Sequence, residues 1–207
     1  MDLLFLLDSP VALTIFAITI ITSLMAFQNS DLMYKFILNP SRMISNRDFG
    51  PFFTSGLIHA NWSHLLFNMI TFYYFAFPLE QMMGPVKFFL LYVISLVIAS
   101  APDVYRHRDN PGYNALGASG AISAVLLSMV LYYPEMKLAF IFFPIPIPGW
   151  LFALLYMGYS YWASRNSNDN IGHSAHLWGG IAGIVLTTIM SPQVALNFVY
   201  WVIDKVS

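Results

Sequence analysis

"NALGASGAISAVLL", residues 114–127, gathers small residues around one serine and then runs into unbroken apolar sequence. Gly117, Ala118, Gly120 and Ala121 flank Ser119, so a helix opening here is thin at its start and another backbone can come close to it. Composition defines the solvent around such a helix. Of the 207 residues, 58% are hydrophobic and only 9% are charged, whereas a soluble domain carries about a quarter charged residues. Such a chain cannot cover its surface with charge, and the sequence reads as an all-α integral membrane protein. A net charge of -1 gives no basic surface for nucleic acid. These residues include no cysteine, which excludes disulfides, Cys-ligated metals and thiol catalysis within them.

Outward from residue 114, six segments come close to the roughly 20 residues a bilayer core requires, with the range reaching down to ~17. They are 10–27, 57–77, 87–101, 118–133, 148–163 and 173–190. Several are short and interrupted by polar residues, which points to a bundle partly open to water. The expectation is one membrane domain over 1–207. The first apolar run lacks a basic leader and follows Asp2 and Asp8, so it reads as a retained span and not a signal peptide. A stretch at 194–203 is too short to span and is expected at the interface. The long first loop, 28–56, holds Asp31, Lys35, Arg42, Arg47 and Asp48 and is expected to be structured at the membrane surface. Loops two and four are expected to be short and tight.

Polar residues inside the spans carry the chemistry. In the second, Asn61, His64, Asn68 and Thr71 fall on one helical stripe that should face the interior or a wet cavity. The alternative is interhelical hydrogen-bond glue. His59 is off that stripe, at the helix entrance. In the sixth, "GHSAHLWGGIAG" (172–183) sets Gly179 and Gly183 on the face of His176, with His173 one turn before it. Span four is equally thin at Gly117, Gly120, Ala121 and Ala124. Two thin faces imply close packing, which would bring Ser119 within reach of His176. A serine hydroxyl becomes a good nucleophile when a neighbouring base takes its proton, and histidine titrates near neutrality. Acyl transfer also needs donors for the developing oxyanion. His64, Asn68 and the Ser119 backbone N–H can supply them. Spans four and six hold no acidic residue, so the pair would act as a dyad.

Other classes fit less well. A metalloprotease would need H-E-x-x-H, which is missing. Zinc on His59, His64, His173 and His176 is a weaker reading of the same residues. A transporter would show a broken-helix repeat, and none is visible. No metal and no cofactor are expected.

With these residues in view, the chain resembles the rhomboid intramembrane serine proteases. "HANWSHLLFN" is similar to the family's H-x-x-x-x-H-x-x-x-N through His59, His64 and Asn68. "GASG" matches G-x-S-G through Gly117, Ser119 and Gly120. "AHLWGGIAG" matches A-H-x-x-G-x-x-x-G through His176, Gly179 and Gly183. "LEQMMG", with Glu80 and Gly84, is similar to the acidic loop that follows span two. The resemblance implies a six-transmembrane-helix bundle. In it Ser119 is the nucleophile and His176 the base, while His64, Asn68 and the Ser119 amide form the oxyanion hole. It makes His59 structural, gives His173 no role beyond a satisfied interfacial histidine, and makes the substrates transmembrane proteins cleaved in or near their helices. By analogy the fifth span is a lateral gate against span two. The implied setting is a bacterial inner membrane, with the N-terminus cytoplasmic and the site opening outward.

Two features depart from the family. Many bacterial members have an aromatic residue one turn after the nucleophile, supporting the histidine ring, and here that position is Ser123. The first loop lacks the Trp-Arg pair often seen. The implied topology also puts Lys35, Arg42, Arg47, Arg106, Arg108 and Arg165 outside against Lys87, Lys137 and Lys205 inside, the reverse of the positive-inside bias. The competing reading of the same resemblance is a catalytically silent relative that binds membrane clients. The sequence carries no sign of oligomeric state.

Overall fold

The computed structural model describes residues 6–140, 143–167, 169 and 171–206. Proline and asparagine mark where its helices begin. Proline opens α1 (Pro10–Gln28), α3 (Pro40–Asn46), α4 (Pro51–Thr54), α6 (Pro85–Arg106) and α10 (Pro192–Val206). Its missing N–H would have no intrahelical partner at that position. Asn29, Asn39 and Asn61 cap α2 (Ser30–Phe36), α3 and α5 (Trp62–Met83) with their side-chain oxygens. The remaining helices are α7 (Ser119–Tyr132), α8 (Gly149–Asn166) and α9 (His173–Met190). The chain is therefore mostly helical, as expected of a membrane protein of this composition.

By length and apolar character, α1 and α6 each suffice to cross a membrane. α9 and α10 qualify together but are bent by 109° at Ser191, and α7 is a shorter apolar helix. α7 is the centre of the assembly, because every residue from Gly120 to Leu131 is buried. A helix that is apolar all round belongs in an interior, and this one is enclosed by α5, α6, α8 and α9. Across the bundle, Phe72, Phe77, Phe88 and Tyr92 of α5 and α6 form a buried aromatic cluster with Phe16 of α1.

Several expected boundaries are corrected. α5 starts at Trp62 and not at 57, because the Asn61 side chain accepts from the His64 N–H at 2.9 Å and ends the preceding turn there. Asn61 is thus an exposed cap and no member of an inward stripe. α5 also runs on to Met83, so Glu80 lies inside a helix and not in a loop. Its carboxyl oxygens are 3.1 Å and 2.6 Å from the backbone N–H groups of Val11 and Ala12. Glu80, only 1% exposed, holds the start of α1 from the far end of α5. Loop two is Gly84 alone, at φ +83, as tight as expected.

Loop four is not a tight turn. Strands β1 (Lys137–Phe140) and β2 (Phe143–Pro148) pair antiparallel there, Lys137 opposite Pro148 and Leu138 opposite Ile147. The prolines at 144, 146 and 148 recur at every second residue. Their missing N–H groups all fall on one edge of the strand, which leaves the other edge free to pair. The first loop is structured as expected, by α2, α3, α4 and a 3₁₀ turn at Ser55–Leu57. The stretch expected at the interface is helix α10, fastened to the body by Lys205 on Glu135 at 3.0 Å and by the Trp201 indole on the same carboxylate.

Candidate active site

α7 and α9 meet through glycine. A Cβ added at Gly179 would overlap the Gly120 carbonyl, and one added at Gly183 would overlap the Ala124 carbonyl. A Cβ at Gly120 would lie 2.6 Å from the Ala99 Cβ and 3.3 Å from the Ala175 carbonyl oxygen. The two helices therefore touch backbone to backbone, with α6 closing on the same point. Further along, Thr187 donates to the Ser128 hydroxyl at 2.8 Å, and Ser128 shares its one hydrogen between the Ala124 carbonyl at 2.7 Å and the more distant Gly183 carbonyl at 3.3 Å. This hydrogen-bonded lock continues the glycine seam, and no motif pointed to it.

At one end of the seam both helices begin. Ser119 is the first residue of α7, so its N–H has no partner within the helix. His176 is in the first turn of α9, its N–H on the Gly172 carbonyl at 3.0 Å. The His64 ring closes the opening. A Cβ at Gly117 would come within 2.6 Å of its Cε1 and 2.8 Å of its Nε2, and Gly117 has φ +112. Only glycine suits that backbone and that contact. Asn68 is buried and donates one amide hydrogen to the His64 carbonyl at 2.9 Å. Its second amide hydrogen is left for another acceptor.

His59 is fully buried outside the helix. Its Nδ1 is 3.0 Å from the Ser23 hydroxyl and its ring sits edge-on to His64 at 4.9 Å. It joins α1 to the opening. The chain leading to Ser119 is braced by the first loop. Leu38 and Ala115 exchange backbone hydrogen bonds of 3.0 Å and 2.9 Å, and the Gly117 N–H donates to the Ser55 carbonyl at 2.9 Å. The Asn39 amide reaches the carbonyls of Pro111 and Tyr113 and the Asn114 side chain at 2.9–3.1 Å. Arg42 stacks on Tyr34 at 4.0 Å and donates to the Ile37 carbonyl. Asn39 and Arg42 thus anchor a loop that lacks a Trp-Arg pair.

His173 is buried within the protein. Its Nε2 is 3.1 Å from the Asp169 carboxylate, while its Nδ1 has no hydrogen-bond partner. The Ser167 hydroxyl, with His173 and the Ile171 N–H, holds the Asp169 carboxyl down at about 2. The His176 ring is stacked on Tyr156 of α8, with centroids 6.1 Å apart and planes at 26°. The Tyr156 hydroxyl is 2.6 Å from that of Ser123. Sequence reading missed Tyr156: Ser123 at the usual aromatic position left open whether another group supports His176 or the ring is held more loosely. Among the described residues no group of three or more His, Asp or Glu could hold a metal ion.

Two thin helices in backbone contact, with Ser119 and His176 in their first turns and His64 against the turn that precedes Ser119, define a helical membrane protein with polar side chains gathered at one end of a glycine seam. Comparison with known proteins makes the class specific. The family described as "Rhomboid domain" matches residues 46–193. The chain belongs to the rhomboid family. It is 33% identical over 148 residues to the putative rhomboid protease YdcA of Bacillus subtilis, covering 70% of this chain and 68% of that one. It is 27% identical over 174 residues to the mitochondrial RHOMBOID-like protein 12 of Arabidopsis thaliana, covering 77% of this chain. The chain spans about half (51%) of that plant relative. Rhomboid protease GlpG of Haemophilus influenzae is 29% identical over 130 residues, covering 62% of this chain and 63% of that one.

Proposed function

We propose that this protein is a six-span intramembrane serine endopeptidase that cleaves transmembrane proteins in or near their helices. The observation that carries the reading is the glycine seam, with Ser119 and His176 at the same end of two helices in backbone contact. In this mechanism the Ser119 oxygen attacks the scissile carbonyl carbon while His176 takes the hydroxyl proton. The resulting oxyanion accepts hydrogen bonds from the Ser119 N–H, the free Asn68 amide hydrogen and the His64 ring. His176 then gives its proton to the departing amine, which leaves an acyl group on Ser119. Water, deprotonated by His176, attacks that ester and releases the acid, and the proton returns to Ser119. The contact of the His64 ring with Gly117, two residues before Ser119, supports its reading as an oxyanion donor.

Substrates with small residues at the cleaved bond fit this reading, as does a site opening outward from a bacterial inner membrane with the N-terminus cytoplasmic. The test uses the purified protein in liposomes with a single-span membrane protein bearing a small-residue helix. Cleavage that Ser119→Ala abolishes and EDTA leaves intact is expected. Cleavage by the Ser119→Ala protein would place the chemistry elsewhere. Client binding without cleavage would favour the silent relative.

A further inference from the structure

We propose that Tyr156 on α8 is the positioning residue for His176, with Ser123 as the anchor of its hydroxyl, an assignment that rests on the serine-protease reading. A histidine base must be held in one orientation, and hydrolases of this chemistry usually do so with a carboxylate on the second ring nitrogen. The Asp169 carboxylate, just ahead of α9, is bonded to His173 instead. What lies on the His176 face is the Tyr156 ring, stacked at 6.1 Å and 26°, within the 4.5–7 Å range of favourable ring pairs. Phe152 stacks on Tyr156 in turn at 5.9 Å and 19°. His173 meets His176 edge-on at 6.0 Å. Among the described residues two rings thus bound the base, Tyr156 nearly parallel to it and His173 edge-on.

The hydroxyl contacts have one consistent direction. Ser123 donates its single hydrogen to the Ser119 carbonyl at 2.8 Å, since a carbonyl can only accept. The Tyr156 hydroxyl must therefore donate to the Ser123 oxygen across the 2.6 Å contact. A directed chain runs from the ring beside the base to the backbone of the nucleophile's own residue. Tyr156 thereby joins α8 to both α7 and α9. It also makes the orientation of the base depend on how α8 is seated.

The test measures fluorophosphonate labelling of Ser119 at varied probe concentration. This separates the limiting rate from half-saturation, alongside the Tm of each variant. Tyr156→Ala should lower the limiting rate at least tenfold with half-saturation and Tm little moved. Tyr156→Phe, which keeps the ring, should recover at least a third of the wild-type rate, and Ser123→Ala should fall between the two. Adding Ser123→Phe to Tyr156→Ala moves an aromatic ring onto α7 and should restore part of the rate. A Tyr156→Ala protein labelled at the wild-type rate would overturn the proposal while leaving the protease reading intact. So would a Tyr156→Phe protein as slow as Tyr156→Ala, or a rate loss that merely tracks Tm. Wild-type protein that is never labelled at Ser119 would overturn both.

Discussion

α7 and α8 follow one another in the chain and are both apolar, yet they are held in opposite ways. α7 is buried without a break from Gly120 to Leu131. α8 buries only Gly149, Phe152, Ser160 and Ala163, and leaves Leu154, Leu155, Tyr159, Tyr161 and Trp162 exposed. The seam between α7 and α9 is backbone against backbone and has no slack. α8 leans on the bundle through side chains. One half of the candidate site is thus built of glycine and the other of aromatic rings. Lipid offers little hydrophobic drive between helices, so close backbone contact is what makes the first half rigid.

The sharpest way to break this contrast lies at the mouth of the seam. In the proposed mechanism Asn68→Ala removes an oxyanion donor, a loss that typically costs ~10²–10³ in turnover. Turnover on a membrane-embedded substrate should fall by that factor with affinity nearly unchanged, and His64→Ala should behave similarly. Near wild-type rates in both would make the α5 residues packing glue. Next comes the seam itself. Gly179→Val or Gly183→Val should cut cleavage ~10²-fold, since a misplacement of about 1 Å is enough. Overpacking should also lower stability by ~1–3 kcal/mol, seen in the melting temperature. On α8, a Cβ added at Gly158 meets nothing within 4 Å. Gly158→Ala should therefore leave cleavage intact and raise stability by ~0.5–1 kcal/mol, as expected for a helical glycine. If the α8 and α9 glycines respond alike, the contrast fails.

Smaller effects are expected away from the dyad. Glu80→Gln turns an amide donor toward the N–H of Val11 or Ala12, where both carboxyl oxygens now accept. The loss should be about 1–3 kcal/mol of stability with turnover unchanged, measured by thermal denaturation beside cleavage. The smallest is Asp169. Its carboxyl is held low by Ser167 and then His173, so its contribution is present above its ordinary value near 4 and disappears as pH falls through about 2. The group is exposed and screened. Asp169→Asn should leave Tm at neutral pH almost unmoved and reduce only its acid dependence. A large drop at neutral pH would show that the His173 pair supports the site.

What could be read from sequence was what repeats locally. α9 occupies 173–190, the range expected from its apolar run, because Gly172 and the Ser191–Pro192 pair bound it. Gly179 and Gly183 announced a close contact by their four-residue spacing alone, and the structure puts that contact on α7. What could not be read was what depends on distant partners. Glu80 sits where a loop acid was expected, and only the arrival of α1 some 68 positions away in sequence shows why it is buried. Tyr156 is one of several tyrosines on α8, and nothing local separates it from exposed Tyr159 or Tyr161. The hairpin was hidden because alternating prolines read as a break unless an edge strand is considered.

The central claim is that the glycine seam brings Ser119 and His176 into one reactive pair. The most direct measurement is fluorophosphonate labelling of the detergent-purified protein, with the modified residue located by mass spectrometry. The expected result is a single adduct on Ser119, lost in His176→Ala and strongly reduced in Gly179→Val. An adduct on another serine, or undiminished labelling of Ser119 in the His176→Ala protein, would contradict the claim.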